Sequence, residues 1–94
     1  MSEDQVRQRT FEIVNRLGLH ARAAAMLVQT AQQFTAEVHI EKDGMSVNGK
    51  SIMGLLMLAA AKGTVIGVRA EGDDAVKAVN AIGDLVRNGF GEKD

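Results

Sequence analysis

Apolar positions recur with two different periods along the chain. Between Arg9 and Val14, Phe11 and Ile13 alternate with Thr10 and Glu12, the period-two mark of a half-buried strand. Ala36 to Lys42 repeats it, with Val38 and Ile40 inward and Glu37, His39 and Glu41 outward. Asp43-Gly44 is a two-residue hairpin signal. It leads into a short strand at Met45 to Asn48 with Val47 inward. Thr64 to Ala70 is the last strand, and Arg69 facing out implies that Ile66, Val68 and Ala70 face in. Residues 1–8 are mostly polar and are expected to be a frayed lead-in.

Helical spacing fills the gaps between these strands. A first helix is expected from about Ala21 to Gln33, with Ala24, Leu27, Val28 and Ala31 on one arc and Phe34 closing its end. Arg22 and Met26 lie four apart on the opposite arc, so they are expected as surface neighbours. A second helix starts after Ser51, which sits where an N-cap belongs. The segment that follows, Ile52 to Ala61, is apolar on all sides, and Gly63 is expected to end it. A two-layer domain cannot bury such a helix completely. Leu55 and Leu58 share one arc, so Ile52, Met53 and Leu56 are expected to be exposed together, and an exposed apolar patch marks a partner site. The last helix opens at Gly72-Asp73-Asp74, with acids in its first turn as the dipole prefers. Ala75, Val79, Ile82 and Val86 follow at helical spacing, Gly89 and Gly91 end it, and the tail is expected to be charged and mobile. The order β-α-β-β-α-β-α implies an α+β fold: an open-faced β-sandwich with a four-stranded antiparallel sheet and three helices on one face, formed by residues 1–94 as a single domain.

Composition narrows the function classes. The 94 residues carry a net charge of −1, three phenylalanines, and no tyrosine or tryptophan. A basic field and stacking surfaces are therefore missing, and nucleic acid is not an expected partner. No cysteine is present, which excludes disulfide and thiol chemistry and fits a reducing compartment. The first residues, Met1-Ser2-Glu3-Asp4-Gln5, lack the basic and apolar character of a signal peptide. The longest apolar run, Leu55 to Ala61, is too short to cross a bilayer. A cytoplasmic protein without membrane insertion is expected.

Candidate chemistry concentrates in Gly18-Leu19-His20-Ala21-Arg22-Ala23-Ala24-Ala25. A turn glycine precedes a histidine, an arginine and a run of helix formers, so the imidazole stands at a helix N-terminus. The first N–H groups of a helix lack intrahelical acceptors, and its dipole is positive there, which stabilises a phosphate. His20 would supply the nucleophile, the N–H groups of Ala21, Arg22 and Ala23 the fixed donors, and Arg22 a planar permanent charge suited to phosphate oxygens. His39 stands between two acids on a solvated sheet face, which reads as structural rather than as a metal site. No acid cluster suited to Mg²⁺ is apparent, so no metal and no cofactor are expected.

These residues resemble the HPr family, the histidine-containing phosphocarriers of the bacterial phosphoenolpyruvate:sugar phosphotransferase system. Gly18 to Arg22 resembles its active-site motif, and Val47-Asn48-Gly49-Lys50-Ser51-Ile52-Met53-Gly54-Leu55 resembles its second motif, around a regulatory serine. The resemblance covers residues 6–90. It implies that His20 takes phosphate on Nδ1 from phosphorylated enzyme I and passes it to EIIA-type domains, with Arg22 contacting the phosphoryl group. It implies that Ser51 is modified by HPr kinase/phosphorylase in bacteria that possess one, and that Ile52, Met53 and Leu56 dock partners. Met26, expected from the helical wheel to be exposed beside the His20 site, is either incidental or a further part of that docking surface. A monomer is expected. The family usually has proline directly after the arginine, where this chain has Ala23. A regulatory adaptor of nitrogen-branch or catabolite-control type, acting by partner binding, is the alternative. An autonomous enzyme with His20 as acid/base ranks last, because no second catalytic group lies near it in sequence.

Overall fold

The structure, a computed structural model, describes residues 5–92. Strand β1 spans Val6–Glu12, helix α1 Ala21–Ala31, β2 Glu37–Lys42, β3 Met45–Asn48, α2 Ile52–Met57, β4 Val65–Glu71 and α3 Ala75–Arg87, followed by a 3₁₀ turn at Gly89–Gly91. The strands form one antiparallel sheet in the order β1-β4-β2-β3. The three helices cover one face, giving the open-faced sandwich expected from the element order.

The sheet's inward residues are those that alternation assigns: Phe11, Val38, Ile40, Ile66, Val68 and Ala70 are all buried. Against them pack Ala24, Leu27, Val28 and Ala31 of α1 and Ala75, Ala78, Val79, Ile82 and Val86 of α3. Gly83 lets α3 approach closely, since a Cβ there would lie in the ring of Phe11. Asp43 and Gly44 both take positive φ, 50° and 83°, as a type I′ hairpin turn requires.

The structure corrects the element boundaries in physically instructive ways. β1 begins at Val6, so residues 6–8 are strand rather than lead-in; their backbone pairs with Glu71, Ala70 and Arg69. Polar side chains hide an edge strand that is held by ladder hydrogen bonds, by Gln8 donating to Glu41 at 3.3 Å, and by Arg9 donating to Asn80 at 3.0 Å. Residues 1–4, the rest of that expected lead-in, lie outside the described residues.

α1 ends at Ala31, where Gln32 is the C-cap, and not at Gln33. α2 stops at Met57 instead of continuing to Ala61 and Gly63. Ala59 turns left-handed at φ 49°, and the Lys42 ammonium donates to the carbonyls of Leu58 and Ala59 at 3.0 and 3.3 Å, satisfying oxygens that a longer helix would use itself. Gly63 serves a later turn, donating to Ile13 O at 2.7 Å.

Asp73 and Asp74 do not form the first turn of α3. Asp74 is its N-cap but makes no side-chain cap. Its carboxylate instead accepts the N–H groups of Thr35 and Ala36, each at 2.9 Å, tying the α1–β2 connection to the start of α3. The hydrogen bond from Thr35 N–H leads the causes that hold this carboxyl below its ordinary range. The C-terminal segment is also packed rather than free up to Glu92: Phe90 is buried.

Candidate functional site

The loop before α1 is built by one buried amide. Asn15 is 3% exposed, and its Nδ2 donates to Gly18 O at 2.8 Å, closing residues 15–18 into a turn. Gly18 takes φ 67°, and a Cβ on it would stand 2.6 Å from Ala60 O. Leu19 N–H then donates to the same carbonyl at 2.9 Å. This close approach, open only to a residue without a side chain, locks the His20 loop against the segment that follows α2.

His20 is the N-cap of α1, with extended backbone at φ −81° and ψ −179°. Its carbonyl accepts from Ala24 N–H at 2.8 Å, the first helical hydrogen bond, so Ala21, Arg22 and Ala23 carry the N–H groups that a helix start leaves without intrahelical partners. The imidazole does not cap them itself. It is half-buried, and Arg22 beside it is exposed.

The imidazole's partner is one that sequence reasoning missed. His20 Nε2 is hydrogen-bonded to Glu92 Oε2, and Glu92 Oε1 accepts from Asn15 Nδ2 at 3.1 Å. The hydrogen bond with His20 and then the one from Asn15 hold the Glu92 carboxyl below its ordinary range; partial burial opposes them, and the positive field of His20 and Arg22 adds to them. Three consecutive left-handed residues turn the chain so that Glu92 arrives there: Gly89 at φ 62°, Phe90 at 55° and Gly91 at 74°. The available signal in the sequence was the apolar Phe90 between two glycines, since a lone aromatic in a charged tail points to an anchor. Asn15 Oδ1 is buried without a hydrogen bond among the described residues.

The second motif forms its own helix start. Ser51 has extended backbone at φ −122° and ψ 114°, and its Oγ accepts from Gly54 N–H at 3.1 Å, a regular N-cap. Leu55 and Leu58 are buried, while Ile52, Met53 and Leu56 are exposed. Met57, which the wheel argument left out, joins them at 67% exposure beside Met53 at 73%. α2 packs against α1, and the tie between Gly18 and Ala60 sets the C-terminal side of α2 next to the His20 loop. Met26 is not a free surface neighbour of Arg22. It is partly buried and packs against the core, because Ala23 is fully buried and widens α1's inward face toward it.

His39 Nε2 lies 3.7 Å from Glu37 Oε1 on the outer sheet face, beyond hydrogen-bonding distance. Among the described residues no three His, Asp or Glu side chains converge on a point that would hold a metal ion. Among the described residues no helix is long and apolar enough to cross a membrane.

Comparison with known proteins agrees with this geometry. Residues 7–88 match the family model described as the PTS HPr component phosphorylation site. The chain is 54% identical over 85 residues to phosphocarrier protein HPr of Neisseria meningitidis, covering 90% of this chain and 96% of the relative. The crystal structure of HPr-C-His from Thermoanaerobacter tengcongensis superposes with a TM-score of 0.90 at 46% identity, covering 94% of this chain and 99% of that one. An HPr dimer from the same organism superposes at 0.74 with 47% identity, covering 98% and 100%. By sequence match, by fold and by the two motifs at its helix starts, the chain belongs to the HPr family of phosphocarrier proteins of the phosphotransferase system.

Proposed function

We propose that His20 accepts a phosphoryl group on Nδ1 from phosphorylated enzyme I and delivers it to EIIA-type domains. The observation that carries this reading is the placement of the imidazole at the N-cap of α1, with Nε2 engaged by Glu92 and the unpartnered N–H groups of Ala21, Arg22 and Ala23 next in the chain. Phosphoryl transfer depends on in-line positioning and charge stabilisation. The helix start supplies fixed donors for phosphate oxygens, and the exposed Arg22 adds mobile charge. A carrier must also release its phosphate, and an open site with few contacts suits that better than a closed pocket.

The exposed Ile52, Met53, Leu56 and Met57 form the surface on which donor and acceptor proteins dock in this reading. Methionine side chains adapt to differently shaped partners, which a carrier serving two proteins requires. Ser51 is the regulatory site: a phosphate there would add nearly two negative charges beside the docking patch, and its kinase would be an HPr kinase/phosphorylase. The protein works in the cytoplasm as one domain and as a monomer, and sedimentation at the concentration used for transfer tests the last point. A nitrogen-branch or catabolite-control adaptor is the second reading, favoured by the patch at Ser51, which would serve partner binding without any histidine chemistry.

Intact mass after incubation with phosphoenolpyruvate, Mg²⁺ and an active enzyme I decides between them. An acid-labile phosphate on wild type and none on His20→Ala is expected. No phosphate on wild type would leave the adaptor reading in place.

A further inference from the structure

We propose that Glu92 is a positioning residue for His20: it holds the Nε2–H and so reserves Nδ1 as the nucleophile, then balances the charge that the phosphorylated ring acquires. The proposal rests on His20 being the phosphoryl acceptor and assigns the residue that orients it.

The geometry carries the argument. An ionised carboxylate only accepts hydrogen bonds, so a neutral imidazole bonded to Glu92 through Nε2 has its proton on Nε2 and its lone pair on Nδ1. Histidines that act as nucleophiles or ligands are commonly oriented in this way, by a carboxylate on the far ring nitrogen. The carboxylate is itself held in place. Asn15 donates to its other oxygen at 3.1 Å, from an amide that is 3% exposed and also closes the His20 loop. Phe90, likewise 3% exposed, anchors the turn that delivers Glu92. Loop, N-cap and C-terminal turn therefore meet in one hydrogen-bonded chain, Gly18 to Asn15 to Glu92 to His20.

In the transfer step the Nδ1 lone pair attacks the phosphorus of a phosphorylated donor protein. The bond from phosphorus to the donor breaks, and its electron pair stays on the donor. The proton on Nε2 does not move. His20 then carries a phosphoryl group on Nδ1 and a proton on Nε2, and the ring holds a positive charge that faces the Glu92 carboxylate. On delivery the acceptor attacks phosphorus, and the pair of the breaking P–N bond returns to Nδ1.

The test compares wild type with Glu92→Ala, both ¹⁵N-labelled at histidine. The chain has two histidines, so His39→Gln assigns the signals. The wild-type His20 spectrum is expected to show the Nε2–H tautomer with a ring proton protected from exchange, and Glu92→Ala is expected to lose that protection while keeping its far-UV circular dichroism. In phosphotransfer from enzyme I, Glu92→Ala is expected to lose about tenfold in kcat with KM little changed. An unchanged ring-proton signal in the variant, or an unchanged kcat, overturns the proposal. Absence of phosphate on wild type would instead overturn the carrier reading, and the ring-proton comparison separates the two failures.

Discussion

At the scale of single residues, the site depends on one atom that is missing. Gly18 approaches Ala60 O so closely that a Cβ would overlap it, and its φ of 67° is unfavourable for any other common residue. Gly18→Ala is therefore expected to destabilise the fold by about 1–3 kcal/mol through backbone strain and overlap. It should also slow phosphorylation of His20, because the loop that carries His20 loses its tie to the segment after α2. Urea denaturation and the enzyme I assay read the two effects, and wild-type values in both would contradict the account. The placement of His20, Arg22 and Ser51 at or next to a helix start was legible in the sequence, because helix starts leave signatures in neighbouring residues. Glu92 was not legible. It lies 72 residues from His20, and the one local signal, the neighbouring Phe90, points to an anchored tail but not to the partner of its acid.

At the scale of elements, α2 shows how an N-cap and an exposed apolar patch share one short helix. Its six residues bury only Leu55 and present Ile52, Met53, Leu56 and Met57 outward. Ser51→Asp keeps a capping oxygen in place of the hydroxyl, since Asp is as good an N-cap as Ser. The melting temperature is expected to stay close to wild type. Binding to enzyme I is expected to weaken about tenfold, roughly 1.4 kcal/mol, from a charge placed beside an apolar patch. Titration calorimetry against enzyme I measures this, and wild-type affinity would argue against Ser51 as a control point. Helical spacing separates the exposed face of α2 from the buried Leu55, but the apolar run overshoots the end of the helix. Helical periodicity continues through Ala59 to Ala61, whereas the helix stops where Lys42, from β2, takes the carbonyls. Intrinsic propensity cannot foresee a cap from a distant strand.

At the scale of the whole molecule, two carboxylates join parts of the chain far apart in sequence, Asp74 to the α1–β2 connection and Glu92 to the His20 loop. Both are held below the ordinary carboxylate range by the hydrogen bonds they accept. A lowered folded-state value means that their stabilisation is fully present above the unfolded value, about pH 4, and is lost as pH falls through the lowered values. The urea midpoint is therefore expected to be flat from pH 7 toward 5 and to fall below about pH 4. Asp74→Asn should be less stable at pH 7 and show a shallower acid decline; an equally steep decline would place the acid sensitivity elsewhere. The sequence by itself determined the α+β class, the strand faces, the inward arc of α1 and the two motif-bearing helix starts. Each depends on periodicity or on capping, which act over a few residues. Tertiary structure alone decided that residues 6–8 complete an edge strand, that Asp74 binds another connection, that Met26 is drawn toward the core, and that Glu92 returns to His20. Those outcomes depend on hydrogen bonds and packing between segments brought together only by the folded sheet and its helices.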